Sequence, residues 1–212
     1  MELNFTEKRI IITAFFCMSF TIANLITVKI LDINFLGLQT PAGVLIYPLV
    51  YILTNVITEV YGEKAAQKTL ILGIATDVLF VCMTTLILFL PSPAFFEGDS
   101  ALAFVFTQTP RILIASYISN LIGNLVNARV TTIVNQTSNH LRIKNLGAIA
   151  LGELVDNIIF IALSFIGIYS LIDIVIMIVS HWILSLIWNI IAQPATERTV
   201  IWAKKDENAM VE

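Results

Sequence analysis

Residues 66–90 read AQKTLILGIATDVLFVCMTTLILFL. After Lys68 the run is almost wholly apolar, and a single charged residue, Asp77, breaks it. A membrane-spanning helix needs about 20 apolar residues at ~1.5 Å each. This stretch is long enough, stops before Pro91-Ser92-Pro93 and has no polar face to offer to water. It reads as a transmembrane helix with a carboxylate near its middle. A charge at the bilayer centre costs at least ~2.5–3.5 kcal/mol on insertion scales, so Asp77 is expected to have a function.

The same reading extends to the whole chain. Of its 212 residues 58% are hydrophobic and 13% charged, with a mean hydropathy of +0.88. Soluble domains carry about 25% charged residues, so this chain has too few to cover a water-facing surface. Six spans are expected, at about 9–31, 41–60, 66–90, 109–134, 146–169 and 173–203, with Pro41 opening the second and Pro194 near the inner end of the last. The fold class is therefore an all-α integral membrane protein: six helices in one bundle over residues 1–203, followed by a polar tail, 204–212. The 91–108 connection carries Phe95, Phe96, Phe104 and Phe106 and reads as an interfacial loop.

Ten of the twelve Lys and Arg residues fall on one side of this arrangement; only Lys29 and Arg111 fall on the other. By the positive-inside rule the side with both termini is cytoplasmic, in a multi-pass membrane protein. The net charge of −3 suggests no nucleic-acid partner. Cys17 and Cys82 sit in apolar runs and read as small buried hydrophobes rather than a disulfide.

Polar residues inside the spans mark the candidate site. They include Asn24, Asn55, Glu59, Asp77, Asn120, Asn124, Asn127, Glu153, Asp156, Asn157, His181 and Asn189. Two pentads are alike: Gly123-Asn124-Leu125-Val126-Asn127 and Gly152-Glu153-Leu154-Val155-Asp156. The fourth span descends and the fifth climbs, so both pentads should lie at a depth of roughly 10–15 Å from the inner ends. Residues at i and i+3 share a helix face, which would let Asn124/Asn127 meet Glu153/Asp156 across an antiparallel pair. The glycines would allow close backbone approach, as in an internal inverted repeat that builds a site between its halves. Carboxylates one turn apart in lipid need a cation, a proton or a donor-rich ligand. Glu59 could contact a ligand or form a helix-end pair with Lys64 or Arg129. His181 could be a core histidine, a proton carrier or a stacking partner.

The runs Ala23-Asn24-Leu25-Ile26-Thr27-Val28-Lys29, Pro41-Ala42-Gly43, Tyr47-Pro48-Leu49 and Thr54-Asn55-Val56-Ile57-Thr58-Glu59-Val60-Tyr61-Gly62 resemble the queuosine-precursor transporter family, also called vitamin-uptake-transporter-like (VUT). The resemblance covers nearly the whole chain. It implies a six-helix bundle in the inner membrane that imports a 7-deazaguanine such as 7-cyano-7-deazaguanine, or queuine, for salvage into a modified tRNA nucleoside. The family pattern has Asp where this chain has Asn55, S-Q where it has Gly123-Asn124, and Gln where it has Glu153; Asp156 is kept. Asn24, Asn55, Glu59, Asn124, Asn127, Glu153, Asp156 and His181 are the substrate-binding candidates, with Tyr47, Tyr117 or Trp182 to stack on the ring. Asp77, Glu153 and Asp156 are the candidates for proton coupling.

No catalytic residue, cofactor or metal is expected. There is no Walker A motif, and neither His140 nor His181 lies in an H-E-x-x-H setting. The chain reads as a transporter rather than an enzyme. A homo-oligomer, and a role as substrate-binding membrane component beside a separate ATPase, both fit the sequence, as does uptake of another nucleobase-like or vitamin solute.

Overall fold

The computed structural model describes residues 4–33, 37–137 and 141–205, and within them all side chains except those of 127, 128 and 131–149. Among the described residues, seven α-helices and one small hairpin follow in order: α1 Phe5–Ile26, β1 Ile30–Ile33, β2 Leu38–Pro41, a 3₁₀ turn Ala42–Leu45, α2 Tyr47–Tyr61, α3 Glu63–Leu88, α4 Asp99–Phe106, α5 Thr109–Thr137, α6 Leu141–Phe165 and α7 Leu171–Lys204. The protein is a largely helical membrane protein. Among the described residues, four stretches are long and apolar enough to cross a bilayer: Phe5–Ile26, Glu63–Leu88, Asp99–Val126 and Leu171–Lys204.

The first two expected spans change most. The helix read as 9–31 ends at Ile26, and the β-branched run Ile26-Thr27-Val28 leads into the antiparallel hairpin, registered Ile30 to Pro41 and Ile33 to Leu38. The helix read as starting at Pro41 starts at Tyr47, with Pro48 in its first turn. The rule that favours proline in a first helical turn holds, but it applies to Pro48, while Pro41 ends a strand. Gly43 explains the intervening turn. A Cβ there would lie 2.3 Å from Thr27 Oγ1 and 2.9 Å from the Ala23 carbonyl, so only glycine lets the turn press against α1. The resulting α2 has 15 residues, about 22 Å, and the hairpin and turn fill the rest of that layer.

The 91–108 segment also contains structure not expected of a loop. Its α4 packs Phe106 edge-on against Phe80 of α3, with ring centroids 6.2 Å apart.

Basic side chains engage partners at both ends of the helices. At the terminal end, Lys8 donates to the Trp202 carbonyl (2.9 Å) in the last turn of α7, Arg9 lies over the Tyr61 ring, and Lys204 pairs with Glu59 (3.3 Å). At the opposite end, Arg111 donates from Nε to the Leu163 carbonyl and from a guanidinium nitrogen to the Ile166 carbonyl, both at 2.6 Å. A cation there satisfies carbonyls that α6 leaves without helical donors. Gly167, at φ +83°, then turns the chain toward α7, where Ser170 caps the first turn.

Apolar side chains such as Ile10, Phe15, Met18, Leu121, Leu125, Ile190 and Ile191 face outward, as a lipid-facing belt requires. Lipid tails are as apolar as these side chains, so helix association depends on close packing and interhelical hydrogen bonds. One cluster of buried side chains joins α1, α2, α3 and α7 around Phe16, Phe20, Leu53 and Ile57. A second joins α5, α6 and α7 around Ile112, Ile161, Phe165 and Met177. The site lies between the two.

Candidate functional site

Helices α5 and α6 run antiparallel: Arg111 meets Leu163 and Ile166 near one end, and Gly123 meets Gly152 and Asp156 near the middle. A Cβ on Gly123 would be 2.8 Å from Asp156 Cβ and 3.1 Å from the Gly152 carbonyl. The two pentads therefore sit against each other, and the first glycine is what allows it. Because α5 extends to Thr137 and α6 begins at Leu141, both lie about 15–22 Å from the α5–α6 connection, deeper than the 10–15 Å read from the sequence.

A cavity of about 160 Å³ opens beside this contact. Asn120, Gly123 and Asn124 of α5 line one wall, and Gly152, Glu153, Asp156, Asn157 and Phe160 of α6 the next. His181, Ser185, Trp188 and Asn189 of α7 face them, and Val44, Tyr47, Pro48 and Tyr51 close the fourth side.

Two carboxylates stand out among its polar groups. Glu153 Oε1 accepts from the Asn189 side-chain amide, which leaves Glu153 Oε2 without a hydrogen-bond partner among the described residues. Asp156 Oδ1 is likewise buried and unpartnered. A buried polar atom left unpaired costs ~1–3 kcal/mol, more when charged, so two such oxygens on side chains that line one cavity call for donors from a ligand. Around them stand the amides of Asn120, Asn124, Asn157 and Asn189, each able to donate and accept. Asn124 is steadied by its own helix, through its Nδ2 to the Asn120 carbonyl (2.8 Å) and side chain (2.6 Å).

The hairpin positions the far wall. Thr40 Oγ1 hydrogen-bonds His181 Nδ1 (2.9 Å), and Ser180 Oγ accepts from the Gln39 amide N–H (3.1 Å). Thr40 and His181 are both buried, and Phe160 packs against the imidazole at 6.2 Å. The hairpin thus fixes the ring at the cavity edge.

Of the polar residues singled out from sequence, Asn120, Asn124, Glu153, Asp156, Asn157, His181 and Asn189 meet in this cavity. Asn24 lies elsewhere, donating to Asp77 Oδ2 across α1 and α3 (2.9 Å). Asn55 is half-buried on α2 and is not among the lining residues. Glu59 is mostly exposed and paired with Lys204, the helix-end arrangement with a different partner from either one considered. Asn127 lies on α5, with its side chain outside the described residues. Of the three stacking candidates Tyr47 lines the cavity, whereas Tyr117 donates to Asp77 and Trp182 donates to the Ala150 carbonyl. Tyr51, Phe160, Ser185 and Trp188 were not singled out. Trp188 lies seven residues from His181, two helical turns along the same face, a spacing that could have pointed to it.

The family model described as "Putative vitamin uptake transporter" matches residues 41–198, three quarters of the chain. The chain belongs to this family. The matched region of this vitamin-uptake-transporter family member holds every cavity-lining residue. It is also 29% identical over 151 residues to a Bacillus subtilis (strain 168) protein named "Probable queuosine precursor transporter", covering 69% of this chain and 65% of that relative. The chain thus spans just under two thirds of the relative's length. Both names are those of transporters rather than enzymes. No solved structure matches.

Proposed function

We propose that this protein imports a queuosine precursor, a 7-deazaguanine such as 7-cyano-7-deazaguanine or queuine, across the cell (inner) membrane. The observation that carries this is the pair of buried carboxylate oxygens, Glu153 Oε2 and Asp156 Oδ1, unpartnered among the described residues, on side chains that line a cavity rich in amides and aromatic rings. A deazaguanine presents an exocyclic amine and a ring N–H beside a carbonyl acceptor on one edge, and a pyrrole N–H with a ring-nitrogen acceptor on another. The carboxylates receive the donors, and the amides of Asn120, Asn124 and Asn189 meet the acceptors. Tyr47 or Trp188 stacks on the ring. An engineered cavity of ~150 Å³ holds benzene, so this one suits a small flat heterocycle rather than a peptide. The name of the Bacillus relative points to the same solute.

The end that gathers Lys8, Arg9, Lys64, Lys68, Arg198 and Lys204 faces the cytoplasm in this reading, with both termini there. The hairpin with Lys29 and Arg111 faces outward. The chain works without nucleic acid, as an importer in its own right.

Complementation tests the proposal. The gene is placed in a bacterium that neither makes the precursor nor imports it, and 7-cyano-7-deazaguanine, its aminomethyl form and queuine are fed separately. Rescue of the modified tRNA nucleoside by one of them supports the reading. Absence of rescue by all three, with the protein in the membrane, refutes it and favours another solute of the vitamin class named by the family.

A further inference from the structure

Asp77 lies outside the substrate cavity, 1% exposed at the middle of α3. Three side chains from two other helices converge on it. The Thr21 hydroxyl donates to Oδ1, and Asn24 Nδ2 (2.9 Å) and the Tyr117 hydroxyl (3.2 Å) donate to Oδ2. Among the described residues no Lys, Arg or His pairs with it. The other titratable groups near it are Cys17 on α1, Tyr47 on α2 and Tyr117 on α5, none of them basic.

A carboxylate kept permanently charged in a protein interior is usually held by groups that can only donate, such as Arg, Lys or backbone N–H. Here all three partners can also accept. With Asp77 charged, they donate. With Asp77 neutral, the two hydroxyls rotate and the Asn24 amide turns over to accept the carboxylic O–H. Asn24 is 2% exposed, and its Oδ1 has no hydrogen-bond partner among the described residues. That unpartnered acceptor gains a partner when the amide turns over.

We propose that Asp77, with Thr21, Asn24 and Tyr117, forms a proton-binding site separate from the substrate cavity. Other polar side chains lie on the same α1–α3 contact: Thr13 and Thr69 face each other at 3.5 Å, and Cys17 lies beside Thr76. Thr69 also lines a second cavity of about 270 Å³ that includes Glu63 and Gln67 near the start of α3. This cavity shares Tyr47, Tyr51, Asn120 and Asn124 with the substrate cavity. Tyr47 in turn hydrogen-bonds Ser116 (3.2 Å), the neighbour of Tyr117. A change in the charge on Asp77 thus acts on the turn of α5 where the two cavities meet, and protonation there is coupled to substrate movement. The coupling rests on the transport reading; the proton site does not.

The test has two arms on the full chain in lipid. The first is infrared pH-difference spectroscopy, which needs no substrate. A carboxylic C=O band that appears on acidification is expected in wild type, lost in Asp77→Asn and kept in Glu153→Gln. Tyr117→Phe, which keeps the fold if Asp77→Asn does not, should shift its frequency. Spectra of Asp77→Asn identical to wild type, or an unshifted band in Tyr117→Phe, would overturn the site. The second arm uses 7-cyano-7-deazaguanine in proteoliposomes. Asp77→Asn should keep equilibrium exchange while losing accumulation driven by an imposed pH gradient. Wild-type-like accumulation by the variant would overturn the coupling. No exchange by wild type would count against the substrate proposed above and leave the infrared result to decide the proton site.

Discussion

Glu153→Gln is the most informative single change, because the structure dictates which way the new amide must face. Glu153 Oε1 accepts from the Asn189 amide, and Oε2 is buried without a partner among the described residues. Glutamine keeps the bond to Asn189 by placing its carbonyl oxygen where Oε1 was. Its NH₂ group then takes the place of Oε2, so a donor faces the ligand's donors. Losing a charge-assisted hydrogen bond costs about 1.5–3 kcal/mol, which is a roughly 10- to 150-fold rise in Kd for 7-cyano-7-deazaguanine. The assay is equilibrium binding of labelled compound to detergent-purified protein. The geometry also specifies a rescue. In Glu153→Gln with Asn189→Asp, the new aspartate accepts from the glutamine NH₂, turns the amide over and returns a carbonyl oxygen to the cavity. The double variant should therefore bind more tightly than Glu153→Gln alone. Binding by the single variant within twofold of wild type, with an unchanged elution profile, would refute the assignment of Oε2 to the ligand.

Further expectations follow from contacts elsewhere. Gly123→Ala puts a methyl group 2.8 Å from Asp156 Cβ; overpacking of this kind costs about 1–3 kcal/mol, so a lower thermal midpoint and weakened binding are expected together. Arg111→Ala frees two carbonyls at the end of α6 and should lower the thermal midpoint by more than Lys204→Ala, whose exposed pair with Glu59 contributes little. Thr40→Val removes the hydrogen bond to His181 and should weaken binding several-fold with little loss of expression, measured as the ratio of Kd values at matched protein levels.

The membrane character of this chain was legible because it depends on length and mean polarity alone. The pairing of the two pentads was legible for a similar reason: glycine followed by a polar residue at i+1 and i+4 places small and polar groups together on a helix, and antiparallel neighbours bring such surfaces into contact. The hairpin was not legible, because residues 32–40 read as a short connection between two spans and neither strand shows clear alternation. Its formation depends on the tertiary contact of Gly43 with Thr27 and on Ser180 and His181, all distant in sequence. Asn24 illustrates a second limit. Its burial in a span marked it as functional, but only the crossing of α1 and α3 reveals that its partner is Asp77 rather than the cavity. Glu59 was open to two readings because a span end can be dry or wet, and the proximity of α7 decides between them.

The central claim is that the cavity between α5, α6 and α7 carries a deazaguanine across the membrane, and uptake by proteoliposomes tests it most directly. Wild-type protein should load labelled 7-cyano-7-deazaguanine with time above protein-free vesicles, Lys204→Ala should match it, and Glu153→Gln with Asp156→Asn should fall to background. Equal uptake by the double variant, or none by wild type, would contradict the account.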